Sequence, residues 1–383
     1  MKKKILFVLD ERKTGGVAIF LENILKNFNY EMYDVDVIVL ANHGNRLESI
    51  PSNVNVHFGS PYFEMIDSSI KDVIKTLNPV KILKKARIVF DMKFERIEKK
   101  IKKERKKMNL GEYDVEIAFK DGFTALFTAY GNTQKKIHWL HYEYGDANPN
   151  KKYPNLFNKT MQIFDEIIAV STGVLESFLE EYDVSSKTKI IHNFIDCDKI
   201  LNLAKEDVFI TSSKISVCII ARMHPVKALP RLINVIQRLN EAKVLEDIKF
   251  YFVGGGPEYD AIEKLINEKC LMDKIVLMGE KPNPYYILKA MDLLVSPSFF
   301  ESFGMVLLEG MLLGVPFLAT DTAGSIEIFK TNSGGVLVSN SENGLYSGLF
   351  ELFSDRKKLT ALKSKVHYVD NKAEVMKAIY EVI

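Results

Sequence analysis

The chain has 383 residues, of which 47% are hydrophobic, and its 52 basic and 50 acidic residues leave a formal net charge of +2. This length accommodates two domains with their own cores, and the near balance of charge excludes a general polyanion-binding role. The three cysteines, Cys197, Cys218 and Cys270, have no metal-like spacing and favour a reducing cytoplasm over a disulfide framework.

The first part of the chain predicts short buried strands separated by helices. Strands are predicted at 5–9, 35–40, 54–58, 115–119, 136–140 and 167–170, and a helix from about 17 to 28 follows the first strand. Gly15 and Gly16 open that helix, where backbone amides could meet a diphosphate. The chain starts with basic residues, and the apolar run that follows them is too short for a signal peptide. No apolar run approaches the roughly 20 residues that span a bilayer.

Two Asp-x-Asp sequences raise the question of a metal site. Asp34 and Asp36 lie at the start of a predicted buried strand with no loop around them, so we expect them to be strand-edge residues. Asp196 and Asp198 repeat the form, and we interpret them in the same way. The sequence therefore predicts no catalytic metal.

Residues 81–107 are the most basic stretch, with ten Lys and three Arg against four acidic residues. Apolar residues recur there at steps of three and four, which predicts one long amphipathic helix. Two interpretations stay open: the helix docks on an anionic membrane surface, or its apolar stripe packs on its own domain.

The second part of the chain repeats the alternation of strands and helices. A polar stretch at 197–213 is predicted to be a linker, and strands follow at 215–221, 250–253, 275–278, 293–296, 315–320 and 335–338. Arg222 follows the first of these strands, and Lys227 is expected to open a helix after Pro225. Gly254 begins a glycine turn after the second strand. Helical patterns cover 341–364 and 373–383.

Residues 292–329 read strand, loop, helix, strand, loop, helix, the unit of a parallel sheet, whose ligands bind at the carboxyl ends of the strands. Glu301 falls at such an end, and Glu309 lies in a helix made otherwise of apolar residues and glycine. A carboxylate there needs a partner, and the hydroxyls of a sugar or ribose are suitable donors. Gly304 and the free amides of the helix start favour the approach of an anion.

The phrase Ser296-Pro297-Ser298, Glu301-Ser302-Phe303-Gly304, Glu309-Gly310-Met311, Gly314-Val315-Pro316 resembles the sugar-nucleotide site of the retaining glycosyltransferases of family 4. These are the glycosyl transferases group 1, here of the bacterial capsular or exopolysaccharide type. The resemblance implies the α/β GT-B fold, with two Rossmann-like domains facing across a cleft. It places the N-terminal, acceptor-side domain at 1–196 with a crossover helix at about 370–383, the linker at 197–213, and the nucleotide-sugar domain at 214–369.

The resemblance also implies roles for individual residues. Arg222 and Lys227 would hold the donor diphosphate, Glu309 the ribose hydroxyls, and Glu301 the sugar, while His141 would reach the sugar from the N-terminal domain. His138 would point to the same side only if its strand twisted or bulged. The implied donor-binding set is completed by backbone groups and glycines: Gly15, Gly16, Gly254, Ser302, Phe303, Gly304, Met305 and Val306.

The function implied is transfer of a hexosyl-type sugar from a nucleoside diphosphate donor, with UDP expected, to an acceptor hydroxyl with retention. The acceptor would be a glycolipid or polysaccharide intermediate, and neither a metal nor another cofactor is expected. The implied location is cytoplasmic, with peripheral attachment at the inner face of the membrane left open. Alternatives are a sugar-nucleotide epimerase of the same fold and a non-catalytic partner subunit of another transferase. A nicotinamide-dependent dehydrogenase is disfavoured because the dinucleotide fingerprint is missing.

Overall fold

The structure is a computed structural model that describes residues 2–10, 15–41, 50–66, 68–145, 148–206 and 215–383. The chain divides into two compact units, Met1–Asn193 with Lys372–Ile383, and Phe194–Asn371. Within the predicted linker, Cys197–Leu203 form a helix that belongs to the second unit, capped by the Asp196 carboxylate. The predicted linker thus begins with a helix, and residues 207–214 lie outside the described residues.

The described part of the first unit contains a seven-stranded parallel sheet in the order β3-β2-β1-β4-β5-β6-β7. Its strands are β1 Lys3–Leu9, β2 Tyr33–Val39, β3 Asn55–Phe58, β4 Val115–Ala118, β5 Lys135–Leu140, β6 Glu166–Ala169 and β7 Thr188–Ile190. Its helices are α1 Gly16–Lys26, α2 Ile70–Lys75, α3 Pro79–Lys93, α4 Ile97–Met108, α5 Phe123–Ala129, α6 Pro154–Ile163, α7 Thr172–Leu179 and the last helix, α16 Lys372–Val382.

The central strands are buried on both faces, as the parallel arrangement requires. The residues Ile5, Leu6, Phe7 and Val8 of β1 are fully buried, and Phe20 and Ile24 of α1 pack from one side. The strand order reverses between β1 and β4, and ligands of such sheets bind beyond the carboxyl ends of the strands at this position.

The second unit contains a six-stranded parallel sheet among its described residues, in the order β10-β9-β8-β11-β12-β13. Its strands are β8 Ile215–Ile220, β9 Ile248–Val253, β10 Ile275–Gly279, β11 Leu293–Ser296, β12 Phe317–Thr320 and β13 Gly335–Val338. Its helices are α8 Cys197–Leu203, α9 Leu229–Glu241, α10 Tyr259–Glu268, α11 Tyr285–Lys289, α12 Met305–Leu312, α13 Ala323–Thr331, α14 Glu342–Ser354 and α15 Arg356–Lys363. The order reverses here between β8 and β11. The prediction of two parallel α/β sheets is confirmed.

The basic stretch at 81–107 is two helices rather than one, so the prediction of a single long helix is wrong. Helix α3 ends at Lys93, Glu95 takes a left-handed conformation with φ of 52°, and α4 begins at Ile97. The apolar residues Ile97 and Ile101 of α4 are fully buried. Helix α4 is also fixed by an ion pair of 2.5 Å between Arg105 and the buried Glu116 of β4. This half of the stretch therefore packs on its own unit.

Helix α16 packs on the first unit although it follows the second in the chain. The ring of Tyr380 stacks on Tyr33 of β2, and its hydroxyl accepts a hydrogen bond from the Asn29 amide at 2.8 Å. In the ranges that the structure describes, no helix has both the length and the apolar character needed to cross a membrane.

Candidate active site

An ion pair links the segments that follow β8 and β11, the two strands between which the sheet of the second unit reverses its order. Lys227 ends a 3₁₀ turn, Pro225–Lys227, shortly after β8, and Glu301 lies in the loop after β11. The Lys227 ammonium donates to Oε2 of Glu301 at 2.5 Å, and both side chains remain about one-fifth exposed. A lysine and a carboxylate therefore lie within reach of solvent where ligands of such sheets bind.

The loop that carries Glu301 is held from both sides by hydrogen bonds. The Phe299 amide donates to the Val226 carbonyl at 2.9 Å, and the Thr320 hydroxyl donates to the Ser298 carbonyl at 2.6 Å. The Glu301 carbonyl accepts from the Gly324 amide at 2.6 Å. These hydrogen bonds therefore anchor the backbone of the loop at Glu301 to the neighbouring segments.

Helix α12 begins directly after this loop with a glycine in place of a capping side chain. Gly304 has φ of 82°, a left-handed conformation that other residues rarely adopt. The first intrahelical bond of this turn runs from the Leu307 amide to the Gly304 carbonyl, at 2.9 Å. The amides of Met305 and Val306 precede this bond, so the helix start can bind an anion. Phe303 is buried beside it.

Glu309 is buried in the second turn of α12, and burial raises the pKa of its carboxyl to about 7. The Tyr285 hydroxyl of α11 donates to Oε1 at 3.3 Å, and the charge of Lys199 on α8 also favours the ionised form. Burial and the neighbouring Glu309 raise the pKa of the Tyr285 hydroxyl. The carboxylate of Glu309 was expected to need a hydrogen-bond partner. In the structure Tyr285 is such a partner, and the sequence did not predict it.

The glycine turn after β9 brings backbone against backbone. Gly254 has φ of 144°, and a Cβ at this position would lie 2.0 Å from the Ala221 carbonyl oxygen. The Met223 amide donates to the Gly255 carbonyl at 2.8 Å, so the turn is joined to the segment after β8. Arg222 lies in that segment and is exposed. Its guanidinium is therefore accessible to a ligand near the ends of β8 and β9.

In the first unit, His141 follows β5 and is buried among aromatic rings. Its ring lies 4.8 Å from that of Phe119 and 6.2 Å from that of Phe20, between centroids. Burial, with the charges of His138 and Lys120, lowers the pKa of the imidazole to about 3. His141 is therefore neutral at physiological pH, and its Nε2 has no hydrogen-bond partner among the described residues.

His138 lies in the regular strand β5, three residues before His141, so its side chain is expected on the opposite face of the sheet from that of His141. Its ring stacks on Phe164 at 5.0 Å, and its Nε2 is 3.3 Å from the carboxylate of Asp121. The Tyr144 hydroxyl also donates to that carboxylate. Asp121 and Tyr144 were not predicted, because their contacts join segments that are distant in sequence.

Gly15 and Gly16 begin α1 at the carboxyl end of β1. Gly15 is the residue before the helix, in an extended conformation, and its carbonyl accepts from the Ile19 amide at 3.1 Å. Among the residues that the structure describes, a Cβ at either glycine would meet nothing within 4 Å. Nearby, the Lys120 ammonium pairs with Asp10 at 2.8 Å across the reversal between β1 and β4.

Among known proteins, HepE of Anabaena, solved with UDP and glucose, matches 99% of this chain over 98% of its own length, at 19% identity and a TM-score of 0.73. WaaG, a glycosyltransferase involved in lipopolysaccharide biosynthesis, matches over 99% of each chain at 13% identity and a TM-score of 0.66. These likenesses show that the chain has the GT-B fold.

By sequence, the chain is similar to N-acetylgalactosamine-N,N'-diacetylbacillosaminyl-diphospho-undecaprenol 4-alpha-N-acetylgalactosaminyltransferase of Campylobacter jejuni, 30% identical over 52% of this chain and 54% of that one. It is also similar to N-acetyl-alpha-D-glucosaminyl L-malate synthase of Bacillus anthracis, 28% identical over 48% of each chain. The chain thus spans about half the length of the relatives it matches. Residues 202–367 match the family model of the glycosyl transferases group 1. This segment, 166 of the 383 residues, is similar to that family.

Proposed function

We propose that this protein transfers a sugar from a nucleoside diphosphate donor to an acceptor hydroxyl. The observation that carries the proposal is the Lys227–Glu301 pair beside the open start of α12, with the buried Glu309 one turn further. These groups match the three parts of such a donor: a cation and helix amides for the diphosphate, and two carboxylates for hydroxyl groups.

Each residue has a distinct proposed task. Lys227, with Arg222, neutralises the charge that develops on the diphosphate as it leaves. Stabilisation of such developing charge is a large contribution to catalysis. Glu301 accepts hydrogen bonds from the sugar once Lys227 turns to the phosphates. Glu309 in its ionised form accepts hydrogen bonds from the ribose hydroxyls. His141, a neutral imidazole, contacts the sugar by hydrogen bonding rather than by charge.

The stereochemical course proposed is retention without a covalent enzyme intermediate. Neither Glu301 nor Glu309 is proposed as a nucleophile, because both are assigned to hydroxyl groups of the donor. The departing phosphate oxygen takes the proton of the acceptor hydroxyl on the same face of the sugar, while the acceptor oxygen bonds to the anomeric carbon and the bond to the phosphate breaks. Neither a metal ion nor another cofactor enters this scheme.

The nucleotide proposed is UDP, and the acceptor a glycan or lipid-linked intermediate of polysaccharide assembly. HepE, whose fold this chain shares, was solved with UDP and glucose. The relatives named above include an enzyme acting on a diphospho-undecaprenol glycan, and poly(ribitol-phosphate) alpha-N-acetylglucosaminyltransferase of Staphylococcus aureus is 30% identical over 56% of this chain and 42% of that one. We propose a cytoplasmic protein held at the inner face of the membrane.

The proposal is tested by calorimetric titration with UDP and other nucleoside diphosphates, in buffer and then with chelator. We expect UDP to bind with the same affinity in both, and Lys227→Met to weaken binding by at least tenfold. A matched control is Lys363→Met, because Lys363 pairs with Asp292 at 3.3 Å at the opposite end of β11. Equal UDP affinity in the wild type and both variants would contradict the assignment.

A product assay separates the transferase from an epimerase of the same fold. Incubation of a UDP-sugar with a lipid-linked glycan should release UDP and extend the glycan, whereas without acceptor the sugar should remain unchanged. Conversion of the sugar in the absence of acceptor would support the epimerase. Donor binding with no turnover of any kind would favour a non-catalytic partner subunit.

A further inference from the structure

The neighbouring helices α2 and α3 and the residues at their ends carry seven exposed large apolar side chains, called here the α2–α3 face. Each of its seven large apolar side chains is at least 44% exposed, and Leu77 between the two helices reaches 84%. Isolated exposed apolar residues are normal, but seven of them on two neighbouring helices indicate an interaction surface. The face consists of Ile70, Ile74, Leu77, Val80, Leu83, Phe90 and Phe94.

On α3 these residues follow one side of the helix. Val80, Leu83, Phe90 and Phe94 recur at helical spacing. The other side of α3 forms the contact with the protein: Ile88 is buried against Met65 and Val73. The exposed stripe is therefore additional to the apolar contacts that hold α3 in place.

The charges around this face are mostly positive. Residues 70–96 contain eight basic and three acidic side chains. Of the acidic ones, Asp91 is buried and accepts from the Tyr62 hydroxyl at 2.9 Å, and Glu95 pairs with Lys159 at 2.9 Å. An occupant of this face must therefore be both apolar and anionic.

Phe90 and Phe94, at the end of α3, and the cations beside them are the residue types that anchor proteins at a membrane interface. Their rings lie 4.5 Å apart between centroids, with Arg96 at 5.4 Å from the ring of Phe90 and Lys93 at 5.9 Å from that of Phe94. Aromatic rings beside cations suit the boundary between acyl chains and anionic headgroups. A second copy of this chain would instead bring the same positive charges together.

We infer that the α2–α3 face docks on a bilayer surface that contains anionic lipids, an inference that rests on the proposed peripheral location and identifies its contact residues. Helix α4 is as basic, but its apolar residues Ile97 and Ile101 are buried, so it has no exposed apolar stripe and is not proposed to contact the bilayer. The docking element is thus the first half of the basic stretch together with α2.

The inference is tested with the full chain by co-sedimentation with vesicles of phosphatidylcholine alone or mixed with phosphatidylglycerol. We expect binding to the mixed vesicles only, weakened by salt. A triple variant, Leu83→Ser with Phe90→Ser and Phe94→Ser, should bind at least tenfold more weakly because the inserted apolar area is lost. These side chains are exposed, so the melting temperature should stay close to that of the wild type.

Two matched sets of charge variants distinguish this face from general attraction. Neutralising three cations of α3 should weaken binding about fivefold for each charge, whereas neutralising three of α4 should leave it nearly unchanged. The α3 set is Lys81→Gln, Arg87→Gln and Lys93→Gln, and the α4 set is Lys99→Gln, Lys103→Gln and Lys106→Gln. Equal losses in both sets, or full binding by the triple serine variant, would overturn the inference.

Failure of the docking surface and failure of the proposed function give different results. UDP affinity is measured on the same variants without vesicles, because none of the exchanged side chains is in the proposed donor-binding set. A wild type that binds UDP but neither vesicle would refute the docking surface and leave the transferase proposal intact. A dimer that dissociates in the triple serine variant, without vesicle binding, would assign the face to a second copy instead.

Discussion

Replacing Glu309 with glutamine should stabilise the protein while weakening its binding of UDP. Burial raises the pKa of this carboxyl from 4.5 to about 7, so the folded state holds a proton that the unfolded chain releases between these pH values. Folding stability therefore falls as pH rises from about 4.5 to 7 and is level above. The difference in pKa corresponds to about 3 kcal/mol of unfolding free energy at pH 8.

Glutamine keeps an oxygen that can accept from Tyr285 but carries no charge to bury. We therefore expect the stability of Glu309→Gln relative to the wild type to increase by about 3 kcal/mol between pH 4.5 and pH 8. Denaturant unfolding at a series of pH values measures this difference, and Tyr285→Phe serves as a control that removes the hydrogen bond but keeps the carboxylate.

UDP binding should show the opposite trend, because the ribose hydroxyls need the ionised carboxylate. In the wild type, affinity should rise about tenfold between pH 6 and pH 8 as Glu309 ionises. The titration of UDP itself is common to both proteins, and the Glu309→Gln variant should lack the additional rise. A variant with the same stability profile and the same pH dependence of UDP affinity as the wild type would refute the reasoning.

Three further predictions concern single positions. Gly254→Ala should cost about 2 kcal/mol or more in denaturant unfolding, because its Cβ would overlap the Ala221 carbonyl; an unchanged midpoint would contradict the tight turn. Glu301→Gln should reduce turnover of a UDP-sugar at least tenfold but should not weaken UDP binding, because its proposed contact is with the sugar and the uncharged side chain no longer holds Lys227; a loss of UDP affinity would argue against that role. His141→Asn should lower turnover without moving the pH profile between pH 5 and pH 9, because the pKa of this imidazole is about 3; a shifted acidic limb would show that it titrates.

Much of the second unit could be predicted from sequence because its strands are short apolar runs ended by turn residues. The segment from β11 to α13 follows this pattern, and Glu301 was accordingly placed in a loop at a strand end. The Lys227–Glu301 pair joins residues 74 positions apart, and only the parallel sheet order brings them together. The Tyr285 partner of Glu309 likewise depends on how α11 packs on α12.

Two helix features that the sequence did not predict have local physical causes. Apolar residues continue at steps of three and four across Glu95, so the sequence pattern gives no sign of the break between α3 and α4. The break is made by a left-handed glutamate rather than by the glycine or proline that usually ends a helix. The helix Cys197–Leu203 was missed because its surroundings are polar and its start depends on the Asp196 cap.

The ion pair between Lys227 and Glu301 makes the site selective for the molecules that bind there. A free phosphate that drew Lys227 away would leave Glu301 half-buried without its cation, and this cost opposes binding. A molecule that offers phosphate oxygens and, a short distance away, hydroxyl donors can satisfy both side chains at once. The pair thus disfavours abundant small anions and makes occupancy depend on two chemical groups joined in one molecule.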